Sequence, residues 1–299
     1  MEQIVKFNHV TKKYKNITAI NDLSFSIDSN DIVGLLGPNG AGKTTIIKLI
    51  ATLTYPTNGE IYINGKVNKK KNPIISCIME GNRSLYWKLT VKENIEFLLT
   101  LKGTDYKAKR EKIEELLQEF NLISKVNELV QNLSRGMQQK LSILIALLED
   151  SQIILLDEPT LGLDVSTLRD LEVLLPKIPS KMNKSLLITS HDMRFVEKVC
   201  NKIMVIQKGQ LITEKDTDEF KNIIDTKSGT IKVKDFGGLD KELNEHKLSY
   251  EYEKETINIS FESLSQFMDV LNICKDRGEI IEFNYGQLKF EDLFLEMIK

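Results

Sequence analysis

Ile32-Val33-Gly34-Leu35-Leu36 runs straight into Gly37-Pro38-Asn39-Gly40-Ala41-Gly42-Lys43-Thr44 and then into Thr45-Ile46-Ile47-Lys48-Leu49-Ile50. The first segment is a short continuous apolar run, the mark of a strand buried on both faces, and the third reads as a helix. The turn between them fits G-x-x-x-x-G-K-[ST] in the strand-to-helix setting that this pattern requires. Without Cβ atoms its glycines let the backbone curl, so that successive N–H groups face a polyphosphate, and the helix N-terminus adds a favourable dipole. Lys43 then offers a cation to the β and γ phosphates, and Thr44 a hydroxyl to Mg²⁺. The candidate nucleotide-binding residues are therefore Gly37, Pro38, Asn39, Gly40, Ala41, Gly42, Lys43, Thr44 and Thr45.

A second apolar strand, Ile153-Ile154-Leu155-Leu156, ends in Asp157-Glu158. Such an ending places carboxylates beside the phosphate loop, where Mg²⁺ sits. Asp157 is the candidate metal ligand and Glu158 the group that handles the attacking water.

Working outward, residues 1 to about 35 alternate apolar and polar, as in Leu23-Ser24-Phe25-Ser26-Ile27, which predicts paired antiparallel strands. From about 84 to 150 the pattern turns helical. Thr90 with Glu93 makes a capping box, and Ile113, Leu116, Leu117 and Phe120 recur at helical spacing. Apolar strands return over 151–215, with a helical segment near 165–175. Beyond about 223 the style changes to alternating strands, a helix bearing Leu264, Phe267, Met268, Leu271 and Cys274, a strand near 279–284, and a last helix with Phe290, Leu293, Phe294 and Met297. The expected domains are 1–222, with a helical subdomain at about 84–150, and a small α+β accessory domain at 223–299.

Composition narrows the class. The chain has 299 residues, 41% hydrophobic and 28% charged, as expected of a globular protein of about two domains. With 41 Lys+Arg against 43 Asp+Glu, no bulk positive field draws it to nucleic acid or anionic lipid. Lys69-Lys70-Lys71 reads as a solvated turn. Cys77, Cys200 and Cys274 lie far apart without CxxC spacing, which fits buried free thiols in a reducing compartment. His9 and His246 have no partner pattern. The N-terminal residues show no secretory pattern, and the longest apolar runs fall far short of the ~18 residues of a membrane-spanning helix. Any membrane role is expected to be peripheral.

Leu133-Ser134-Arg135-Gly136-Met137-Gln138-Gln139-Lys140 resembles the signature of the ATPase subunits of ABC transporters, whose common form reads L-S-G-G-Q, and it precedes the Asp157-Glu158 strand as in that family. Pro159-Thr160-Leu161-Gly162-Leu163-Asp164 is similar to the family's interface loop and Ser190-His191-Asp192 to its switch histidine. Together the motifs cover about residues 1–215. The resemblance implies a P-loop NTPase fold of the ABC ATPase type, with an antiparallel β subdomain and a helical insert. It implies further that Tyr14 stacks on adenine, that Ser134 and Gly136 touch the γ phosphate of a partner's ATP, that Asp164 lies in the dimer interface, and that Glu158 and His191 serve hydrolysis.

Two departures stand out. Arg135 and Met137 replace the usual Gly and Gln of the signature. Glu80 stands where the family usually has Gln, which makes it a candidate for the metal and the catalytic water, with Arg83 nearby to balance its charge. A solvated loop glutamate is the other reading of Glu80. Trp87, in Leu85-Tyr86-Trp87, fits either helix packing or a partner-facing position.

The resemblance implies ATP and Mg²⁺ as cofactors and a homodimer or heterodimer of ATPase subunits. It also implies a separate polytopic transmembrane subunit gripped around Glu80 to Leu89, and a place on the cytoplasmic face of the cell membrane. The Asn82–Trp87 stretch and Phe290–Phe294 resemble bacterial exporters of the drug, antibiotic and polysaccharide type. A soluble ABC ATPase acting on ribosomes or DNA is the alternative, but no second cassette or long coiled-coil insert is present, and no nucleic-acid partner is expected.

Overall fold

The computed structural model describes residues 2–70, 72–81, 84–224, 227–235, 239–246, 248–253, 256–261 and 263–287. The chain divides into two compact units between Thr217 and Asp218, ahead of the position near 223 suggested by the change of sequence style.

In the first unit β1 (Gln3–Tyr14) and β2 (Ile17–Asp28) pair antiparallel. Their alternation turns Val5, Phe7, Leu23, Phe25 and Ile27 inward, and Phe7 stacks on Phe25 at 4.4 Å. His9 takes φ +49 where the register shifts, and its Nδ1 lies 2.8 Å from Asp22 Oδ1, a partner that the sequence pattern did not reveal. After β3 (Ile32–Leu36) and α1 (Lys43–Ile50), strands β4 (Asn58–Ile63) and β5 (Lys66–Val67) complete this sheet in the order β2-β1-β4-β5.

The chain next places β6 (Ile75–Ile78) at the edge of a second sheet and enters the helical insert of α2 (Val91–Leu101), α3 (Arg110–Glu119) and α4 (Arg135–Leu148). The capping box forms as expected, with Thr90 Oγ1 accepting from Glu93 N and Glu93 Oε2 accepting from Thr90 N. Ile113, Leu116, Leu117 and Phe120 are all buried. The chain then alternates through β7 (Ile153–Asp157), α5 (Val165–Leu174), α6 (Ile178–Met182), β8 (Ser185–Thr189), α7 (Met193–Val199), β9 (Lys202–Gln207) and β10 (Gln210–Asp216).

The second sheet has the order β10-β9-β3-β8-β7-β6, and every neighbouring pair except β10·β9 is parallel. All five residues of β3, β7 and β8 are buried, which explains their unbroken apolar or small-residue character. The carboxyl ends of β3, β6, β7 and β8 therefore open along one edge, the place where ligands bind in open α/β sheets.

The second unit contains α8 (Thr217–Ile224), β11 (Lys227–Asp235), α9 (Leu239–Glu245), β12 (Ser249–Glu253), β13 (Thr256–Phe261), α10 (Leu264–Arg277) and β14 (Gly278–Gln287). From β11 to β14 the elements run βαββαβ, with strand order β12-β13-β11-β14 and every neighbour antiparallel, the ferredoxin-like arrangement. Its core is built on Ile231, Val233, Ile257, Ile259, Val270 and Cys274. The helix expected around Phe290 to Met297 lies outside the described residues. All three cysteines are free; Cys200 and Cys274 are buried and Cys77 is half-buried.

The C-terminal end of α4 is closed by a buried cation. Lys184 Nζ donates to Glu149 O at 2.7 Å, to Ser151 O at 2.5 Å and to Ser151 Oγ at 3.1 Å. An ammonium just past the negative end of a helix dipole is favourably placed, and this one gives donors to the carbonyls of the cap and of the turn that follows the helix. Lys184→Met is expected to leave those carbonyls without a donor and to cost about 1–3 kcal/mol of unfolding free energy by chemical denaturation. Burial lowers the Lys184 pKa to about 8 from 10.5, so the unfolded chain binds more protons in that window. The contribution of this group to stability therefore rises with pH between about 8 and 10.5, and the Met variant should lack that rise.

Candidate functional site

At the carboxyl end of β3 the phosphate loop closes on itself and on its neighbours. Ala41 N donates to Pro38 O at 3.1 Å, and Gly209 N, in the β9–β10 turn, donates to Ala41 O at 2.9 Å. Gly42 takes φ +110, and a Cβ there would lie 2.7 Å from both Ala19 O and Ile20 Cδ1. At Gly37 a Cβ would lie 2.3 Å from Ile206 O. Only glycine fits these two positions, one through conformation and both through space.

Lys43, the first residue of α1, is 7% exposed, and its Nζ donates to Gly37 O at 2.6 Å. Burial pushes its pKa down while Glu158 and Asp157 pull it up. Thr44 Oγ1 donates to Asp157 Oδ1 at 3.3 Å, which joins the phosphate loop to the end of β7. The expected hydroxyl and carboxylate are thus side by side. Among the described residues no group of three or more His, Cys, Asp or Glu forms a cage for a metal. Thr44 with Asp157 instead fits Mg²⁺, which binds through one or two carboxylates together with phosphates and water.

Thr189, the last residue of β8, holds both acids in place. Its Oγ1 donates to Asp157 Oδ1 at 2.8 Å and accepts from Glu158 N at 2.9 Å. Glu158 adopts φ +50, a strained conformation for a side chain of its type, of the kind retained where function needs it. Its Oε2 accepts from His191 N at 3.2 Å. Its Oε1 is buried and has no hydrogen-bond partner; His191 Nε2 lies 3.1 Å away, in ion-pair range but outside hydrogen-bonding alignment. Burial raises the Glu158 pKa, against the opposing pull of His191 and Lys43. A buried, partly unsatisfied carboxylate between a lysine and a histidine is what general-base chemistry on a water requires. His191 Nε2 is also 3.5 Å from Lys43 Nζ, so Lys43, Asp157, Glu158 and His191 form one cluster.

Thr189 and Gly209 were not singled out from the sequence. The signal for Thr189 is a hydroxyl ending an apolar strand, and that for Gly209 is a Lys208-Gly209 pair between two strands, which takes φ +49 and +77. Thr189→Val keeps the shape but strands Glu158 N and leaves Asp157 Oδ1 with Thr44 as its remaining donor. The variant is expected to lose about 1–3 kcal/mol of stability, and its kcat roughly tenfold, equivalent to about 1.4 kcal/mol. Denaturation and steady-state phosphate release would check both.

The remaining candidates lie outside this cluster. Glu80 follows β6, whose Ile78 pairs with Leu156, so it emerges on the same sheet edge as Asp157. Its side chain is exposed, and no hydrogen bond or ion pair among the described residues joins it to Thr44 or Asp157. Arg83 lies outside the described residues. Tyr14 is 42% exposed at the end of β1, with Lys12 Nζ 4.8 Å from its ring centroid, so one face of the ring carries a cation.

Ser134 caps α4 by accepting from Met137 N at 3.2 Å, and no hydrogen bond among the described residues joins it or Gly136 to the phosphate loop of the same chain. At Gly136 a Cβ would lie 2.3 Å from Thr167 Oγ1, so the start of α4 rests directly on α5. Asp164 caps α5, accepting from Thr167 N at 2.9 Å and Oγ1 at 3.0 Å and from Ser166 Oγ at 2.5 Å. The Ser166 hydroxyl, followed by the Thr167 donors, holds the Asp164 carboxyl far below the usual range.

Comparison with known proteins agrees with this geometry. Residues 20–161 match the family described as ABC transporter. The chain is 35% identical to the ABC transporter ATP-binding protein NatA of Bacillus subtilis, over 67% of this chain and 82% of that one. It is 31% identical to the ABC transporter ATP-binding protein YhcH of the same organism, over 99% of this chain and 96% of that one. Among solved structures, the dimeric post-hydrolysis state of the ATP-binding cassette MJ0796 with ADP and Pi aligns with a TM-score of 0.64 and 28% identity, over 71% of this chain and 98% of that one. With its phosphate loop, its acidic strand end and nearly full-length relatives of that kind, the chain belongs to the ABC transporter family, as an ATP-hydrolysing ATP-binding subunit.

Proposed function

We propose that this subunit powers export by closing and opening a dimer of ATPase subunits on a separate polytopic transmembrane subunit, at the cytoplasmic face of the membrane. The observation that carries the partner is an exposed aromatic face on the helical insert. Tyr86, Trp87, Phe97 and Leu101 are 48%, 57%, 42% and 66% exposed, and Tyr86 meets Phe97 edge to face at 4.8 Å. Aromatic side chains left in water in a cluster favour a protein partner, since burial there gains both apolar area and ring contacts. No helix of the described residues is long and apolar enough to cross a membrane, so the spanning element is assigned to another chain.

In the proposed cycle Lys43, Thr44 and His191 of one protomer and Ser134 and Gly136 of the other grip the same γ phosphate. ATP therefore binds the closed arrangement better than the open one, and only such differential affinity shifts the equilibrium. Thr44 and Asp157 would hold Mg²⁺, which when bound neutralises charge on the phosphates. Glu158 takes up a proton from the attacking water, and His191 orients the carboxylate. Cleavage removes the shared γ contact and releases the protomers.

The export reading rests on the resemblance of the Trp87 region and the C-terminal extension to exporter subunits. Proteins named for methionine import also match, at 32% identity over 73% of this chain and 68% of their own length. The test is affinity purification of the tagged Glu158→Gln chain from native membranes with ATP in mild detergent. Recovery of a polytopic membrane protein is expected. Recovery of ribosomes or DNA with no membrane partner would contradict the proposal.

A further inference from the structure

The loop that follows Glu158 is pinned at its ends by the contacts described above. Glu158 N is held by Thr189, Thr160 Oγ1 lies 3.4 Å from Ser190 Oγ, and Asp164 is locked into the start of α5. Between them run two successive turns, with Leu161 N donating to Glu158 O and Leu163 N to Thr160 O, both at 3.2 Å. Mid-loop, Leu161 is 54% exposed. The middle of the loop is covered by one side chain. A Cβ at Gly162, which takes φ +72, would lie 2.7 Å from Arg135 Nη1, 3.2 Å from Cζ and 3.6 Å from Nη2. The outer end of the guanidinium thus sits beside the Gly162 Cα, with Nη1 nearest.

Arg135 makes no hydrogen bond or ion pair among the described residues, although it is an exposed cation. A surface arginine ordinarily stays in water or finds an acid; this one sets the end of its guanidinium beside the Gly162 backbone, in the space that a side chain there would take. A planar guanidinium stacks on flat groups in a way that an ammonium does not. Arg135 also occupies the signature position where glycine is usual, so this contact belongs to a departure from the common pattern.

We propose that Arg135 is a positioning residue, whose guanidinium beside the Gly162 backbone holds the Glu158–Asp164 loop against the start of α4 and so keeps Glu158 in register for hydrolysis. Glu158 sits at φ +50 at the head of this loop, and a backbone in a sparsely populated conformation persists only while its surroundings determine it. Loosening the middle of the loop lets Glu158 relax toward ordinary φ and moves its carboxylate away from the water. No hydrogen bond or ion pair among the described residues joins Arg135 to Gly37–Thr44, so the nucleotide held by its own chain keeps its contacts and the effect falls on turnover. The inference requires ATP hydrolysis at Glu158 but neither the dimer nor the export reading.

The test is steady-state ATP hydrolysis by the full chain for Arg135→Gly, Arg135→Lys and wild type, with nucleotide affinity and melting temperature measured alongside. Arg135→Gly is expected to lower kcat roughly tenfold, about 1.4 kcal/mol, with ATP affinity within twofold of wild type and an unchanged melting temperature. Arg135→Lys, whose stem still covers Gly162, should fall between the two. An Arg135→Gly kcat within twofold of wild type overturns the proposal, as does a loss matched by falling stability or affinity. Absence of hydrolysis by the wild type would instead count against the assignment of Glu158.

Discussion

Glu158→Gln is expected to lower steady-state ATP turnover by roughly 10²–10⁴-fold, the usual contribution of a positioned general base. Glutamine keeps the shape and can still accept from His191 N, the bond now made by Glu158 Oε2 at 3.2 Å. What it loses is Oε1, a fully buried carboxylate oxygen with no hydrogen-bond partner among the described residues and so an atom free to take a proton. Since Lys43, Thr44 and Asp157 are untouched, ATP binding should equal that of wild type. The neutral amide also relieves the cost of burying a charge, so the variant should be no less stable than wild type. Phosphate release and nucleotide titration on the same preparation check both halves, and unimpaired turnover would refute the role given to Glu158.

Lys43→Ala should fail at the earlier step. The ammonium is 7% exposed and is held over the loop by Gly37 O at 2.6 Å, so it is already desolvated and aimed before any phosphate arrives. Charge-assisted hydrogen bonds of this kind contribute about 1.5–3 kcal/mol each, which predicts a loss of roughly 10- to 150-fold in ATP affinity. The loss should be read by titration calorimetry, with hydrolysis falling in parallel at subsaturating ATP. An affinity equal to wild type would show that the loop binds its ligand in another way.

The parts of the site legible in the sequence are those set by local rules. Gly37–Thr44 was readable because strand, glycine turn and helix are contiguous, and Asp157-Glu158 because an unbroken apolar run such as Ile153–Leu156 announces a doubly covered strand. Thr90 and Glu93 form their capping box from residues three apart. The missed features depend on partners distant in the chain. Thr189 acquires its double role only because β8 lies beside β7, in register Asp157↔Thr189. The contact of Arg135 with Gly162 requires the helical insert to return against the loop after β7. The strand order of the second unit is equally non-local, and α8 follows β10 without a glycine or proline to mark where that unit starts.

Glu80 shows the opposite limit. Its place on the sheet edge follows from the pairing of β6 with β7, yet its carboxylate stays in water, because a motif position specifies where the backbone goes and not what an altered side chain then touches.

The central claim, that ATP held by Lys43 and Thr44 of one chain draws in Ser134 and Gly136 of another, is tested most directly by the mass of Glu158→Gln in solution. Sedimentation should be measured with and without ATP and Mg²⁺, at a concentration where the nucleotide-free protein is monomeric. The account predicts a shift to twice the monomer mass on adding ATP, and no shift when Lys43→Ala is combined with Glu158→Gln. A variant that binds ATP fully and remains monomeric at every concentration would contradict it.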